Sequence, residues 1–138
     1  MRIACEGKEI ELVNVMKNGI TEAIGITKEI GDRLLDCSSL LRVEHSEEVF
    51  NALLEGINNL SDLVDFIKEL KRGMGTLKGY SQVEPFLSSW DGSLKVFEDM
   101  LPAFESKDWI TLSDLIQYEL HPFLVKGERG LSELNEIL

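Results

Sequence analysis

Apolar side chains recur at three- and four-residue steps along most of this chain, and that spacing constrains its fold more than any other feature. Such a period places the apolar side chains on one face of an α-helix, whereas a half-buried strand has a period of two. The pattern restarts in four successive segments. Because helices with one apolar face must pack together to hide that face from water, the sequence predicts an all-α protein.

The starts of the helical segments are marked by residues that favour helix N-termini. The first segment begins at about Asn14, and the second begins at Ser46, whose side chain can cap a helix. The third begins at the capping box Ser81–Glu84, and the fourth begins at Asp108. Since short connections favour antiparallel neighbours, we predict an antiparallel, up-and-down four-helix bundle that forms a single domain over residues 1–138.

The third segment carries the most regular apolar stripe, and we predict that it is a seam of the core. Its members are Val83, Leu87, Trp90, Leu94, Phe97, Leu101 and Phe104. The period continues through Pro102. Either the helix kinks at this proline, or it stops there and a short turn completes the pattern. Pro122 removes the hydrogen-bond donor for the Tyr118 carbonyl in the fourth segment, and we expect a kink there too.

The first dozen residues alternate instead of following a helical period. Ile3, Cys5, Ile10 and Leu12 would face one side of an extended chain, with charged residues on the other side. The pattern predicts a short β-hairpin over residues 1–12. Because an isolated hairpin is marginal in water, we expect this one to cover the bundle as a lid.

The charge balance restricts the partners of the chain. Its 138 residues include 14 lysines and arginines against 25 aspartates and glutamates, for a formal net charge of -11. Such a charge repels nucleic acid and anionic membrane surfaces, so we expect neither as a partner. Cys5 and Cys37 form no CxxC motif, and no apolar run approaches the roughly 20 residues that span a bilayer. We therefore expect reduced thiols and a cytoplasmic location.

Motifs of the common catalytic centres are missing. A di-iron centre in a helical bundle needs Glu-x-x-His pairs, but neither His45 nor His121 follows a glutamate by three residues. The glycines after the second segment are spaced GxGxxxG with no following Gly-Lys-Ser/Thr, unlike a phosphate-binding loop. In the His-x-x-Lys-Gly pattern of phosphorelay modules the lysine comes earlier than Lys126 does after His121. We therefore predict no catalytic residue, no metal and no cofactor.

The segment around Pro122 is the one candidate ligand-binding site. On a helix, Asp114 and Tyr118 share a face, and Glu119 adjoins the apolar stripe, so its carboxylate would sit at the core boundary. Together with His121 these residues could bind a ligand beside the carbonyl that the proline frees. The alternative, which we favour, is that Glu119 accepts a hydrogen bond across the bundle and only fixes the helix register.

The same segment carries a family resemblance. Asp114–Pro122, preceded by Lys107-Asp108-Trp109, resembles the signature Asp-Leu-x-x-Tyr-Glu-Leu-x-Pro near the C-terminus of uncharacterised small helical proteins from Gram-positive and related anaerobic bacteria. The resemblance implies a bacterial, cytoplasmic, helical protein and no catalytic role for any residue. This chain departs from the signature because no tryptophan follows the proline.

Two kinds of function remain open. The first is a binding module that presents an acidic face or an apolar groove to another protein or to a second copy, for example a chaperone that shields an aggregation-prone helix of a secreted or flagellar subunit. The second is a small-ligand or metal-binding bundle, or an enzyme, that uses Asp114, Tyr118, Glu119 and His121. The missing catalytic motifs favour the binding module.

Overall fold

The computed structural model describes residues 8–76 and 80–138, and all regular elements in these ranges are helical. Helix α1 spans Lys8–Leu41 and α2 spans Glu47–Met74. A third segment consists of α3 (Tyr80–Leu87), a 3₁₀ turn (Ser88–Gly92) and α4 (Ser93–Glu105). The last segment consists of α5 (Trp109–Leu115), a π-helical turn (Ile116–Leu120) and α6 (His121–Ile137). The all-α prediction is confirmed for these residues.

The predicted N-terminal hairpin is wrong for its second strand. Residues 8–12 form the first turns of α1, so Ile10 and Leu12 belong to a helix and are exposed on its surface. An alternation over so few residues does not distinguish a strand from the first turns of a helix of 34 residues. The first strand of the predicted hairpin, in residues 1–7, lies outside the described residues.

Side-chain caps begin two of the helices where the sequence predicts them. The Ser46 hydroxyl accepts a hydrogen bond from the Val49 N–H at 3.3 Å, and the Asp108 carboxylate accepts one from the Thr111 N–H at 3.2 Å. Hydrogen bonds from the hydroxyl and the backbone of Thr111 lower the pKa of Asp108 below its ordinary value. The predicted capping box fails, because α3 begins at Tyr80 and Ser81 therefore lies inside the helix.

Helix α1 packs against α2 along much of its length. Met16, near the start of α1, lies beside Gly73, near the end of α2. Leu34, in the second half of α1, lies beside Gly56, in the first half of α2. The order of these contacts shows that the two helices run in opposite directions.

Helix α1 also packs against the last helical segment, again in the opposite direction. The Arg42 side chain, after the end of α1, donates to the Ser113 hydroxyl in α5 at 3.0 Å. The Lys17 ammonium group, near the start of α1, donates to the Leu138 carbonyl at 3.2 Å. One long helix thus contacts the last segment near both of its ends.

The third segment packs against α6 through residue pairs that also run in opposite order. The pairs are Phe86 with Gly130, Trp90 with Gly127, and Gly92 with Phe123. The largest fully buried side chains of the core are Ile20, Leu34, Leu41, Leu53, Leu60, Ile67, Met74, Leu87, Leu112, Ile116, Leu120 and Leu124. Across residues 8–76 and 80–138, the structure contains no helix with both the length and the apolar character that a bilayer crossing requires.

The two later prolines are accommodated in different ways. Helix α4 continues through Pro102 to Glu105, so the helix does not stop at the proline. A π-helical turn precedes Pro122, and in it the His121 N–H donates to the Ile116 carbonyl. Pro122 is the second residue of α6, so its missing N–H falls at the junction between the π-helical turn and that helix.

Candidate functional site

The predicted core seam of the third segment divides at the 3₁₀ turn. Up to the middle of the turn the prediction is confirmed, since Leu87, just before the turn, and Trp90, within it, are buried. After the turn it is wrong for Leu94, which is 67% exposed, and for Leu101, which is 56% exposed, whereas Phe97 and Phe104 are partly buried against the core. The two leucines in the second half of the most regular apolar stripe therefore face outward.

The 3₁₀ turn explains this division. Its sequence, Ser-Ser-Trp-Asp-Gly, contains serine, aspartate and glycine, which are weak helix formers, and that interruption is the signal sequence analysis missed. A 3₁₀ helix advances about 120° per residue and an α-helix about 100°, so five residues rotate the following stripe by roughly 100°. As a result Ser93, Met100 and Ala103 are the buried residues of α4.

The outward leucines line an apolar groove between α2 and α4, which we call the α2–α4 groove. Its volume is about 480 Å³. It is lined by Leu54, Ile57, Ser61, Leu94, Phe97, Glu98, Met100, Leu101, Phe104 and Leu112. Met100 and Leu112 are buried at its floor, and Glu98 is its one charged lining residue. The groove exists because α4 packs mainly against α5 and the 3₁₀ turn and lies apart from α2.

An aromatic cluster holds one end of the groove in place. The Phe104 ring meets the Trp109 ring edge-on, with 6.1 Å between centroids and an interplanar angle of 86°. The Trp109 ring also lies 4.7 Å from the Phe50 ring, which belongs to α2. Because these rings connect the end of α4 to α2 through the start of α5, the groove is formed without an occupant.

The rim of the groove carries hydrogen-bond acceptors at Glu98. Its side chain is exposed. Among the described residues no cation lies within ion-pair distance of it, and Lys95, three residues earlier, pairs with Asp99 at 3.5 Å instead. The Glu98 carbonyl has also lost its helical donor, since Pro102, four residues later, has no N–H. The Glu98 carboxylate is therefore the one charged group in a largely apolar lining.

A second groove, between α1 and α2, differs in character. Its volume is about 430 Å³, and its lining includes the charged residues Glu22, Glu29, Arg33 and Asp62. Arg33 lies 3.1 Å from Glu29 and 3.6 Å from Glu55, so charges along this groove pair with one another. Solvated ion pairs of this kind are usual on a protein surface, whereas a contiguous apolar surface marks an interaction site.

The structure places Asp114, Tyr118 and Glu119 on the surface and does not join them into a site. Asp114 pairs with Arg42, which ties α5 to the end of α1. Tyr118 is 70% exposed. Glu119 is also exposed, so the prediction of a carboxylate at the core boundary is wrong. Glu119 lies within the π-helical turn, whose buried residues are Ile116 and Leu120.

His121, the remaining predicted site residue, is half-buried beside Gly31. It lines a cavity of about 170 Å³ together with Asp32 and Glu128, and the other three predicted residues do not contribute to that cavity. Within the described ranges, no cluster of three or more histidine, cysteine, aspartate or glutamate side chains has the arrangement of a metal site. The predicted ligand-binding set is thus spread over separate surfaces.

The described cysteine, Cys37, lies in the core. Burial raises the pKa of its thiol, and the neighbouring carboxylate of Asp36 raises it further. A buried cysteine with a raised pKa is a poor nucleophile, because the thiolate is the reactive form. Cys5 lies outside the described residues.

Comparison with known proteins identifies a family and nothing more specific. No curated protein and no solved structure matches the chain. Residues 20–127 match the family described as "Domain of unknown function (DUF8042)", and that range contains every residue that lines the α2–α4 groove. The prediction of an uncharacterised family is confirmed. The chain belongs to the DUF8042 family, whose function is unknown.

Proposed function

We propose that this protein is a non-enzymatic interaction module that binds an apolar segment of another protein in the α2–α4 groove. The observation that carries the proposal is the exposure of Leu94 and Leu101 on one side of a preformed apolar groove. Exposed apolar residues that lie next to one another in a groove commonly mark a binding site, whereas single exposed apolar residues are ordinary. Filling the groove would remove these leucines from water, at a gain of about 25 cal/mol for each Å² of apolar surface buried.

The proposal extends to how and where the module works. We propose that the four helical segments form an antiparallel, up-and-down bundle and that residues 1–138 make one domain. In this proposal the bundle holds the groove rigid. The protein acts in a bacterial cytoplasm, as the signature at Asp114–Pro122 implies, and shields an aggregation-prone segment of its partner as a chaperone does. With a net charge of -11, neither nucleic acid nor membrane is the proposed partner.

The alternative prediction, a ligand or metal site near Pro122, has weaker support. Asp114 pairs with Arg42, and Tyr118 and Glu119 are exposed, so these groups do not converge on one position. A ligand site needs convergent polar groups in a shared cavity. Asp114, Tyr118, Glu119 and His121 do not share such a cavity, so the ligand or metal site near Pro122 stays a prediction.

The test is binding of a labelled, uncharged amphipathic peptide of about 15 residues that presents leucines at helical spacing. Fluorescence anisotropy gives the dissociation constant for the natural protein and for Leu94→Asp. We expect Leu94→Asp to weaken binding by more than about tenfold, because a charge within an apolar contact loses its hydration.

Val15→Asp is the matched control, because Val15 is also 67% exposed but lies on α1, away from the groove. It should leave the dissociation constant unchanged. Absence of binding by the natural protein, or equal weakening by the two substitutions, would overturn the proposal. Circular dichroism of each variant verifies that the fold is retained.

A further inference from the structure

We infer that the occupant of the α2–α4 groove is a short amphipathic helix with lysine or arginine beside its apolar stripe. The inference rests on the proposed function and specifies the chemistry of the partner. Three features of the groove support it: the kind of backbone that its walls accept, its length, and the acceptors at Glu98.

The walls of the groove favour a helical occupant. Both walls are helices, whose main-chain groups are hydrogen-bonded within the helix, and the lining side chains are almost all apolar. An extended peptide would leave main-chain groups facing this surface without partners. A helix satisfies its own main-chain groups and presents only side chains, so it enters such a groove at lower cost.

The length of the groove sets the length of the occupant. Along α4 the lining runs from Leu94 to Phe104, which at 1.5 Å per residue is about 15 Å. An occupant of roughly ten residues, or about three helical turns, covers that distance. Its apolar anchors would stand at helical spacing, one stripe of leucine-like residues resting on Leu94, Leu101 and Leu54.

The acceptors at Glu98 favour a basic occupant. An apolar helix that covered the rim would take water away from the Glu98 carboxylate, the charged residue of the lining. A lysine or arginine beside the apolar stripe supplies donors and an opposite charge at that point. The net charge of -11 adds a longer-range attraction for a cationic segment.

The same charges disfavour a second copy of this chain as the occupant. In a symmetric dimer, a residue near the twofold axis meets the same residue of the other copy. Glu98 lines the groove between Leu94 and Leu101, so a twofold axis through the middle of the groove would bring two Glu98 carboxylates together. Each copy also carries a net charge of -11, which opposes association at low salt.

The experiment compares three labelled peptides of about 15 residues that share one leucine pattern and carry lysine, glutamine or glutamate at the flanking positions. At low ionic strength we expect the lysine peptide to bind the full-length protein about tenfold more tightly than the glutamate peptide, with the glutamine peptide between them. The difference should shrink as salt rises to roughly 0.5 M, because exposed charges are then screened.

Two charge-reversed variants separate the local effect of Glu98 from the net charge. Glu98→Lys should abolish or reverse the preference for the lysine peptide. Glu133→Lys makes the same change in net charge at an exposed position of α6, away from the groove, and should keep most of the preference. Equal effects of the two substitutions would show that only the net charge matters and would overturn the role of Glu98.

The remaining outcomes distinguish this inference from the proposed function. If the three peptides bind equally and Leu94→Asp weakens all of them, the inference fails and the proposed function stands. If none of them binds, the proposed function fails as well. Light scattering of the protein alone tests for a second copy: a dimer that Leu94→Asp dissociates would replace the basic helix as the occupant and overturn the inference.

Discussion

Apolar residues in two parts of the third helical segment lie in opposite environments, one buried and one exposed. Within the 3₁₀ turn, Trp90 packs against Gly127 so closely that its indole N–H reaches the Gly127 carbonyl at 3.2 Å. After the turn, Leu94 and Leu101 continue the same stripe but line an open groove. A change in helical rotation over five residues can therefore place one part of an apolar stripe in the core and another part on a binding surface.

The largest expected effect on stability comes from removing the packed side of this comparison. Trp90 is 3% exposed, its ring meets Phe123 edge-on at 5.7 Å, and its N–H is hydrogen-bonded. Trp90→Ala should lower the free energy of unfolding by about 3 to 5 kcal/mol, because it leaves a cavity and an unpaired carbonyl. Urea unfolding followed by circular dichroism measures this, and a loss below about 1 kcal/mol would mean that the seam is not core.

A smaller loss of stability should follow from adding a methyl group at Gly130, where the third segment packs against α6. A Cβ at Gly130 would lie close to the main-chain oxygen of Phe86, and a backbone atom cannot move away as a flexible side chain can. Gly130→Ala should therefore destabilise the protein by about 1 to 3 kcal/mol or more, the usual cost of overpacking.

Gly25→Ala is the control for that substitution. Gly25 also lies within a helix, but a Cβ there would meet nothing within 4 Å. Alanine should stabilise α1 at this position by up to about 1 kcal/mol, because glycine is the poorer helix former. If both substitutions change the urea midpoint in the same direction, close packing at Gly130 is not what distinguishes the two positions.

The helical pattern could be predicted from the sequence because burial repeats with the period of the helix. Ser46 and Asp108 could be assigned as caps because their side chains act on amides only three residues away. The hairpin was wrong for residues 8–12 because a short alternation is compatible with both structures. The caps at Ser46 and Asp108 were thus predictable from partners within one turn, although the same reasoning misplaced the start of α3 at Ser81.

The candidate site could not be predicted in the same way, because its position depends on changes of helical rotation. The 3₁₀ turn at Ser88–Gly92 precedes the exposed Leu94, and the exposed Glu119 lies within the π-helical turn at Ile116–Leu120. In a 3₁₀ or π-helical turn the angle between successive side chains differs from that in an α-helix. The helical period read from a sequence assumes that this angle is constant. Both site errors therefore lie at or after irregular turns, one of them beside a proline.

The smallest expected effect on stability concerns the open side of the comparison. Leu94→Ala should change the free energy of unfolding by no more than about 0.5 kcal/mol, because its side chain is already 67% exposed. Leu87→Ala, seven residues earlier on the same predicted stripe and fully buried, should cost about 2 to 5 kcal/mol. The two variants remove the same atoms, so urea unfolding compares the environments alone. A loss above about 2 kcal/mol for Leu94→Ala would mean that α4 closes onto α2 in solution, and a closed groove could not receive the helix that we propose.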